Sequence, residues 1–125
     1  MIFDTDVLIW VLRGNTKAAK AVDQAENRGI SVVTYMELLQ GARDKHETRA
    51  IKSFLLDMNF HSLPLTENIG HRASIYMEEY VLSASLALAD ALISATTIES
   101  GNQLLTGNYK HYKVIEDLSL KRFRP

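Results

Sequence analysis

Cysteine is absent from the 125 residues, which rules out disulfide staples and thiolate metal sites and leaves oxygen donors and four histidines for any metal. No segment approaches the roughly 18 consecutive apolar residues of a membrane span. The start Met-Ile-Phe-Asp lacks the basic stretch and long apolar run of a signal peptide. The expectation is a soluble, cytoplasmic protein without membrane association. No phosphate-cradling glycine loop of the GxxxxGKS/T or GxGxxG kind occurs, and no internal repeat, low-complexity tract or linker interrupts the chain. Overall charge is also nearly missing, at −1, but that average hides a gradient. Residues 110–125 carry Lys110, Lys113, Lys121, Arg122 and Arg124 against Glu116 and Asp117, a net of +3, so the first 109 residues sum to −4. An acidic body with a basic end suits a cation site beside a phosphate-facing edge; a solvated tail explains the charge equally well.

What is present is ordinary in bulk and ordered in pattern. A hydrophobic share of 46 % and a charged share of 23 % fit one globular domain over residues 1–125. A chain of that length buries roughly two thirds of its extended surface. Met1 to Phe3 reads as a short buried strand, Val7 to Leu12 as a helical stretch stopped by Gly14, and Lys17 to Arg28 as an amphipathic helix with Gly29 as punctuation. Ile30 to Val33 is β-branched and reads as a second strand, followed by a helix over Thr34 to Gly41. Further helices are expected over Lys45 to Met58, Glu67 to Val81 and Leu86 to Ser100. Extended pieces fall at Phe60 to Leu65, Gln103 to Thr106 and, as an edge strand, Val114 to Ile115. Short strands alternating with helices predict a parallel sheet in a three-layer α/β/α sandwich, with its site beyond the carboxyl ends of the strands.

Carboxylates supply the chemistry-bearing signal. Asp4 follows the first strand directly, where a charge beside an apolar core is costly unless paired or metal-bound. Asp6, two residues later, reads either as the N-cap of the first helix or as part of the same group. Glu37 lies three residues after Thr34, the spacing of a capping box, and also at the end of the second strand, on the rim where Asp4 sits. Asp90 stands in the apolar run Leu86 to Ile93 with no Lys or Arg within a helical turn, so it needs a cation or a distant partner such as Arg72. Thr106-Gly107-Asn108 adds a hydroxyl and an amide after the last well-defined strand, with Asn108 either near a metal-bound water or shaping a turn. Together Asp4, Glu37 and Asp90 specify a hard, oxygen-seeking ion such as Mg²⁺ or Mn²⁺. His46, His61, His71 and His111 show no ligand-like pairing, and only His111 falls near the rim, where it is a candidate phosphate contact.

The segments Ile2-Phe3-Asp4-Thr5-Asp6-Val7-Leu8-Ile9, Ser31 to Gly41, Leu88 to Ile93 and Leu104-Leu105-Thr106-Gly107-Asn108, in this order, resemble those of PIN domains, and most closely the VapC toxins of type II toxin–antitoxin pairs. The resemblance implies a metal-dependent endoribonuclease with Asp4, Glu37 and Asp90 as its acidic cluster. Asp4 and Asp90 become the foremost metal ligands, and Glu37 orients water or a second ion. Thr5, Asp6, Thr106 and Asn108 are supporting residues. It further implies a homodimer and a small antitoxin lying across the site. Asn108 and His111 stand where many relatives carry a further acid, which favours one ion over two. Arg13, Lys17, Lys110 and Lys113 are candidate phosphate contacts, since non-specific affinity for RNA comes mainly from such cations. Two rival readings stand beside this one. Asp4-Thr5-Asp6-Val7 also fits the DxDxT/V pattern of a HAD-type phosphatase, and the same fold without catalysis would serve as a binding module.

Overall fold

The computed structural model describes all 125 residues and contains one sheet of five strands with seven helices. The strands are β1 (Ile2–Phe3), β2 (Arg28–Ser31), β3 (Phe60–Leu63), β4 (Leu104–Thr106) and β5 (Leu120–Arg122). The helices are α1 (Thr5–Leu12), α2 (Thr16–Gln24), α3 (Val32–Gln40), α4 (Lys45–Asp57), α5 (Glu67–Ala84), α6 (Leu88–Glu99) and α7 (Tyr109–Tyr112). Every strand pairing is parallel, in the spatial order β3-β2-β1-β4-β5.

Successive strand residues point to opposite faces, and the core divides accordingly. Ile2 and Leu104 enter a cluster with Ile69, Tyr76 and Ile93 of α5 and α6. Their neighbours Phe3 and Leu105 enter a second cluster with Val7, Leu8, Val22 and Leu38 of α1 to α3. This two-sided burial is the three-layer α/β/α sandwich, and it explains why the central strands β1 and β4 carry apolar side chains at successive positions. Ile51 and Tyr76 are buried, and the Phe54 ring lies 5.8 Å from that of Phe60, so these helix residues belong to the core.

Several boundaries differ from the sequence reading. Ser31 caps α3, its hydroxyl accepting from the Val33 N–H at 3.1 Å, so Val32 and Val33 turn helical despite their β-branched side chains. The Thr34 to Glu37 capping box therefore does not form; both residues lie inside α3. Gly29 is a residue of β2, where an added Cβ would stand 2.8 Å from the Ile2 Cδ1, so close strand packing, not a turn, calls for glycine. Val114–Ile115 is not a strand: Ile115 packs beneath α5 and α6, and the edge position is taken by Leu120–Arg122.

The chain runs outward from β1 to β2 and β3, then returns to place β4 on the other side of β1. The sheet's switch point thus lies between β1 and β4, and the crevice beyond their carboxyl ends is where such folds put their chemistry.

Candidate functional site

Asp4 leaves β1 at the switch point and begins α1, its Oδ1 accepting from the Thr5 N–H at 2.8 Å. Asp4, not Asp6, is therefore the N-cap of the first helix. At 4 % exposure its carboxylate takes further donors: the Thr106 hydroxyl at 2.7 Å on Oδ2 and the Tyr112 hydroxyl at 3.0 Å on Oδ1. Thr106 is itself oriented by the Asn108 N–H, 2.9 Å from its Oγ1. Asn108 acts here through its backbone, since its side chain makes no capping bond. Burial raises the Asp4 pKa despite these three donors.

Asp90 occupies the first turn of α6, where the unsatisfied amides favour negative charge. Its Oδ1 accepts from the same Tyr112 hydroxyl, at 3.1 Å, so one phenol spans carboxylates that are 86 residues apart in the chain. Burial raises the Asp90 pKa, the Tyr112 bond and nearby His111 oppose it, and Glu37 adds to it. His111 Nδ1 stands 3.8 Å from Asp90 Oδ2. Arg72, the partner considered for Asp90, instead binds Glu99 at 2.6 Å.

Glu37, in the second turn of α3, accepts from the Thr5 hydroxyl at 2.6 Å, and that hydroxyl also lies 2.9 Å from the Thr34 hydroxyl. A hydroxyl has one proton, which goes to the charged acceptor, leaving Thr5 to accept from Thr34. Asp6 reaches the other way, with Oδ2 accepting from the Gly107 N–H at 2.9 Å. A Cβ on residue 107 would come within 2.5 Å of that oxygen, which explains the glycine. Asp6 Oδ1 is one of two buried side-chain polar atoms without a partner, the other being Ser94 Oγ. Burial, then the charge of Asp4, pushes the Asp6 carboxyl up to about 7.

The structure thus gathers Asp4, Asp90, Asp6 and the Thr5-held Glu37 about the switch point without a lysine or arginine paired to any of them. An all-oxygen donor set in which burial raises the pKa of all three aspartates, with an orphaned buried carboxylate oxygen among them, has the chemistry of a divalent-cation site. As they stand, no three acidic or histidine side chains converge closely enough to hold an ion, so ligation would require them to close around it.

The candidate phosphate contacts disperse. Arg13 lines a hollow with Glu37, Ile9 and Leu12; Lys17 lies on α2; Lys110 lies in α7 beside His111; and Lys113 is exposed just beyond α7. Tyr112, which the sequence reading missed, is fully buried at the centre of the site. Its place two residues after Lys110 in the segment following β4 was the available signal, but only the fold distinguishes its hydroxyl from that of a core aromatic.

The PIN domain family pattern matches residues 1–116. Ribonuclease VapC10 of Mycobacterium tuberculosis is 37 % identical over 122 residues, covering 94 % of this chain and 90 % of that protein. Among solved structures, a toxin–antitoxin complex from Klebsiella pneumoniae superposes with a TM-score of 0.77 at 28 % identity, covering 94 % of this chain and 93 % of its counterpart. VapBC2 from Rickettsia felis, bound to a DNA fragment from its promoter, gives 0.83 at 17 % identity over 99 % and 100 % of the two chains.

Proposed function

The chain belongs to the PIN-domain family, and from that premise we propose that it is a divalent-metal-dependent endoribonuclease, the toxin of a toxin–antitoxin pair, acting through Asp4, Glu37 and Asp90. The observation that carries this reading is the shared Tyr112 hydroxyl, which brings Asp4 and Asp90 to one point at the switch of the sheet with no lysine or arginine to neutralise them. Asp4 and Asp90 would hold the ion, Mg²⁺ or Mn²⁺, with Glu37 beside it. A bound divalent ion supplies charge to a phosphate oxygen and activates water for attack. Everything else is done by the chain. Thr106, Tyr112 and the Thr5 amide fix the Asp4 carboxylate, and the Thr5 hydroxyl fixes Glu37 for orienting the attacking water. Hydrolysis of this kind does not use the 2′-hydroxyl, so products with 5′-phosphate and 3′-hydroxyl ends are expected.

RNA as substrate and a small antitoxin as partner follow from the likeness to a VapC ribonuclease and to a chain solved as part of a toxin–antitoxin complex. A homodimer belongs to the same reading. Val81, Leu82 and Leu88 lie exposed around the corner between α5 and α6, an apolar surface of the kind that another subunit covers. A cytoplasmic location goes with the RNA substrate, and no helix is long and apolar enough to cross a membrane. The phosphatase alternative is not favoured, because the PIN-domain pattern covers residues 1–116 and the relative of 37 % identity is a ribonuclease. A binding module would need no such carboxylate cluster.

The test is cleavage of a mixed RNA pool by the purified chain with Mn²⁺ or Mg²⁺ and with EDTA. The expected outcome is metal-dependent cleavage that falls about a hundredfold or more in Asp90→Asn. RNA left equally intact with metal and with EDTA would return the chain to the class of binding modules.

A further inference from the structure

The carboxylates at the rim repel the very phosphates that Asp4, Glu37 and Asp90 are proposed to cleave, so the binding energy for a polyanion has to come from elsewhere on the molecule. Two adjoining hollows supply it. One, of ≈ 550 Å³ between α2 and β5, is lined by Lys17, Lys20, Lys121, Arg122 and Arg124, with Glu26 its single acidic side chain. The other, of ≈ 390 Å³, shares Arg122, Phe123 and Arg124 with the first and adds Lys110 and His111, with no acidic side chain at all. His111 then reaches Asp90 at 3.8 Å, which joins the second hollow to the acidic site. None of the five lysines and arginines of the first hollow, nor Lys110, takes part in an ion pair. At the junction the Arg122 guanidinium lies 4.4 Å over the ring of Tyr109, a flat surface beside a charged one.

From this arrangement we infer that single-stranded RNA runs along a basic track from the acidic rim, over α7 at Lys110 and Arg122, and into the hollow between α2 and β5. The inference rests on the proposed ribonuclease activity and adds the route of its substrate. Cations strung along a groove follow a sugar–phosphate backbone without reading its sequence, and the Arg122 guanidinium plane, backed by Tyr109, offers a base a place to stack. The track separates the candidate phosphate contacts: Lys17 and Lys110 lie on it, whereas Arg13 and Lys113 do not.

The experiment measures binding of a fluorescent single-stranded RNA of about 20 nucleotides to the full chain in EDTA, across a salt series. K17E/K20E/K121E is compared with K45E/R49E/K52E on α4, which makes the same change in charge at exposed residues away from both hollows. The track triple is expected to weaken binding about tenfold or more and to flatten the slope of log K against log salt by about 2, the share of three single-strand phosphate contacts. The α4 triple should stay within about twofold of the parent. K17Q/K20Q/K121Q should shift binding in the same direction by less, which guards against a folding defect from charge reversal. Equal losses in the two charge-reversed triples, or no loss in the track triple while the parent binds and cleaves RNA, would overturn the track and leave the activity standing. A parent that neither binds nor cleaves RNA would overturn both. Tighter binding of duplex DNA than of RNA, dependent on the same three lysines, would make the groove a DNA surface instead.

Discussion

Tyr112 offers one proton to two carboxylates, and replacing it with phenylalanine isolates that function because the buried ring is kept. Tyr112→Phe leaves the buried Asp4 short of a donor, so a loss of about 1–3 kcal/mol in urea unfolding with EDTA is expected. An unchanged unfolding midpoint would mean that the hydroxyl stabilises neither acid. Asp6 makes a prediction with pH. Its carboxyl ionises near 7 in the folded chain, raised by burial and by Asp4, and near the ordinary value of about 3.9 in the unfolded one. Between those limits the folded state holds the extra proton, so this group makes stability fall as pH rises. Asp6→Asn keeps an oxygen for the Gly107 N–H and removes the titration. Its melting temperature in EDTA should exceed the parent's by a margin that widens from about pH 4.5 to 7 and then levels; a margin independent of pH would contradict the cause given. At this scale the sequence showed its acids clearly, since Asp4 and Asp90 stand among apolar residues. It did not show how they are held. The Thr5 hydroxyl that fixes Glu37 and the Tyr112 hydroxyl that joins Asp4 to Asp90 act across 32 and 22 residues or more, beyond any local pattern.

Among the elements, α6 is the one whose start bears most directly on the site, because Asp90 lies in its first turn. Its N-cap, Ala87, has extended dihedrals (φ −76°, ψ 149°) but no side chain able to accept from the helix amides. A serine there fits the same backbone, so Ala87→Ser should stabilise the chain by about 0.5–1 kcal/mol in urea unfolding. No gain would indicate that water or Asp90 already satisfies those amides. The contrast with Ser31, whose hydroxyl caps α3, also explains why β2 ends at Ser31 and does not run on to Val33. Val32 and Val33 prefer strands by propensity, yet the cap and the packing of the α3 face onto the sheet override that preference. The last strand lies at Leu120–Arg122 and not at Val114–Ile115 for a related reason. Val114 and Ile115 are β-branched but serve the core beneath α5 and α6, while the edge is formed by Leu120-Lys121-Arg122, whose charges suit an exposed edge strand and disguise it in the sequence.

In the molecule as a whole, opposite charges are separated, with carboxylates at the switch point and cations along α2, α7 and β5. The three-layer class was legible because helices and short strands alternate along the chain. The strand order was not, because nothing local says that β4 returns beside β1, and it is this return that makes Asp4 and Thr106 neighbours. The crowding that follows is a cost to the fold that a cation should relieve, and the two effects are separable in one set of melts. In EDTA, Asp90→Asn should melt above the parent, because it removes a carboxylate whose charged form burial and Glu37 disfavour. Added Mn²⁺ stabilises whichever protein binds it, by about 2.7 kcal/mol at a hundred times its Kd, so the parent should gain more than the variant and their order should narrow or reverse. Equal Mn²⁺ shifts in the two proteins would remove Asp90 from the metal ligands. A variant that melts below the parent in EDTA would mean instead that the Tyr112 bond to Asp90 outweighs the burial of its charge.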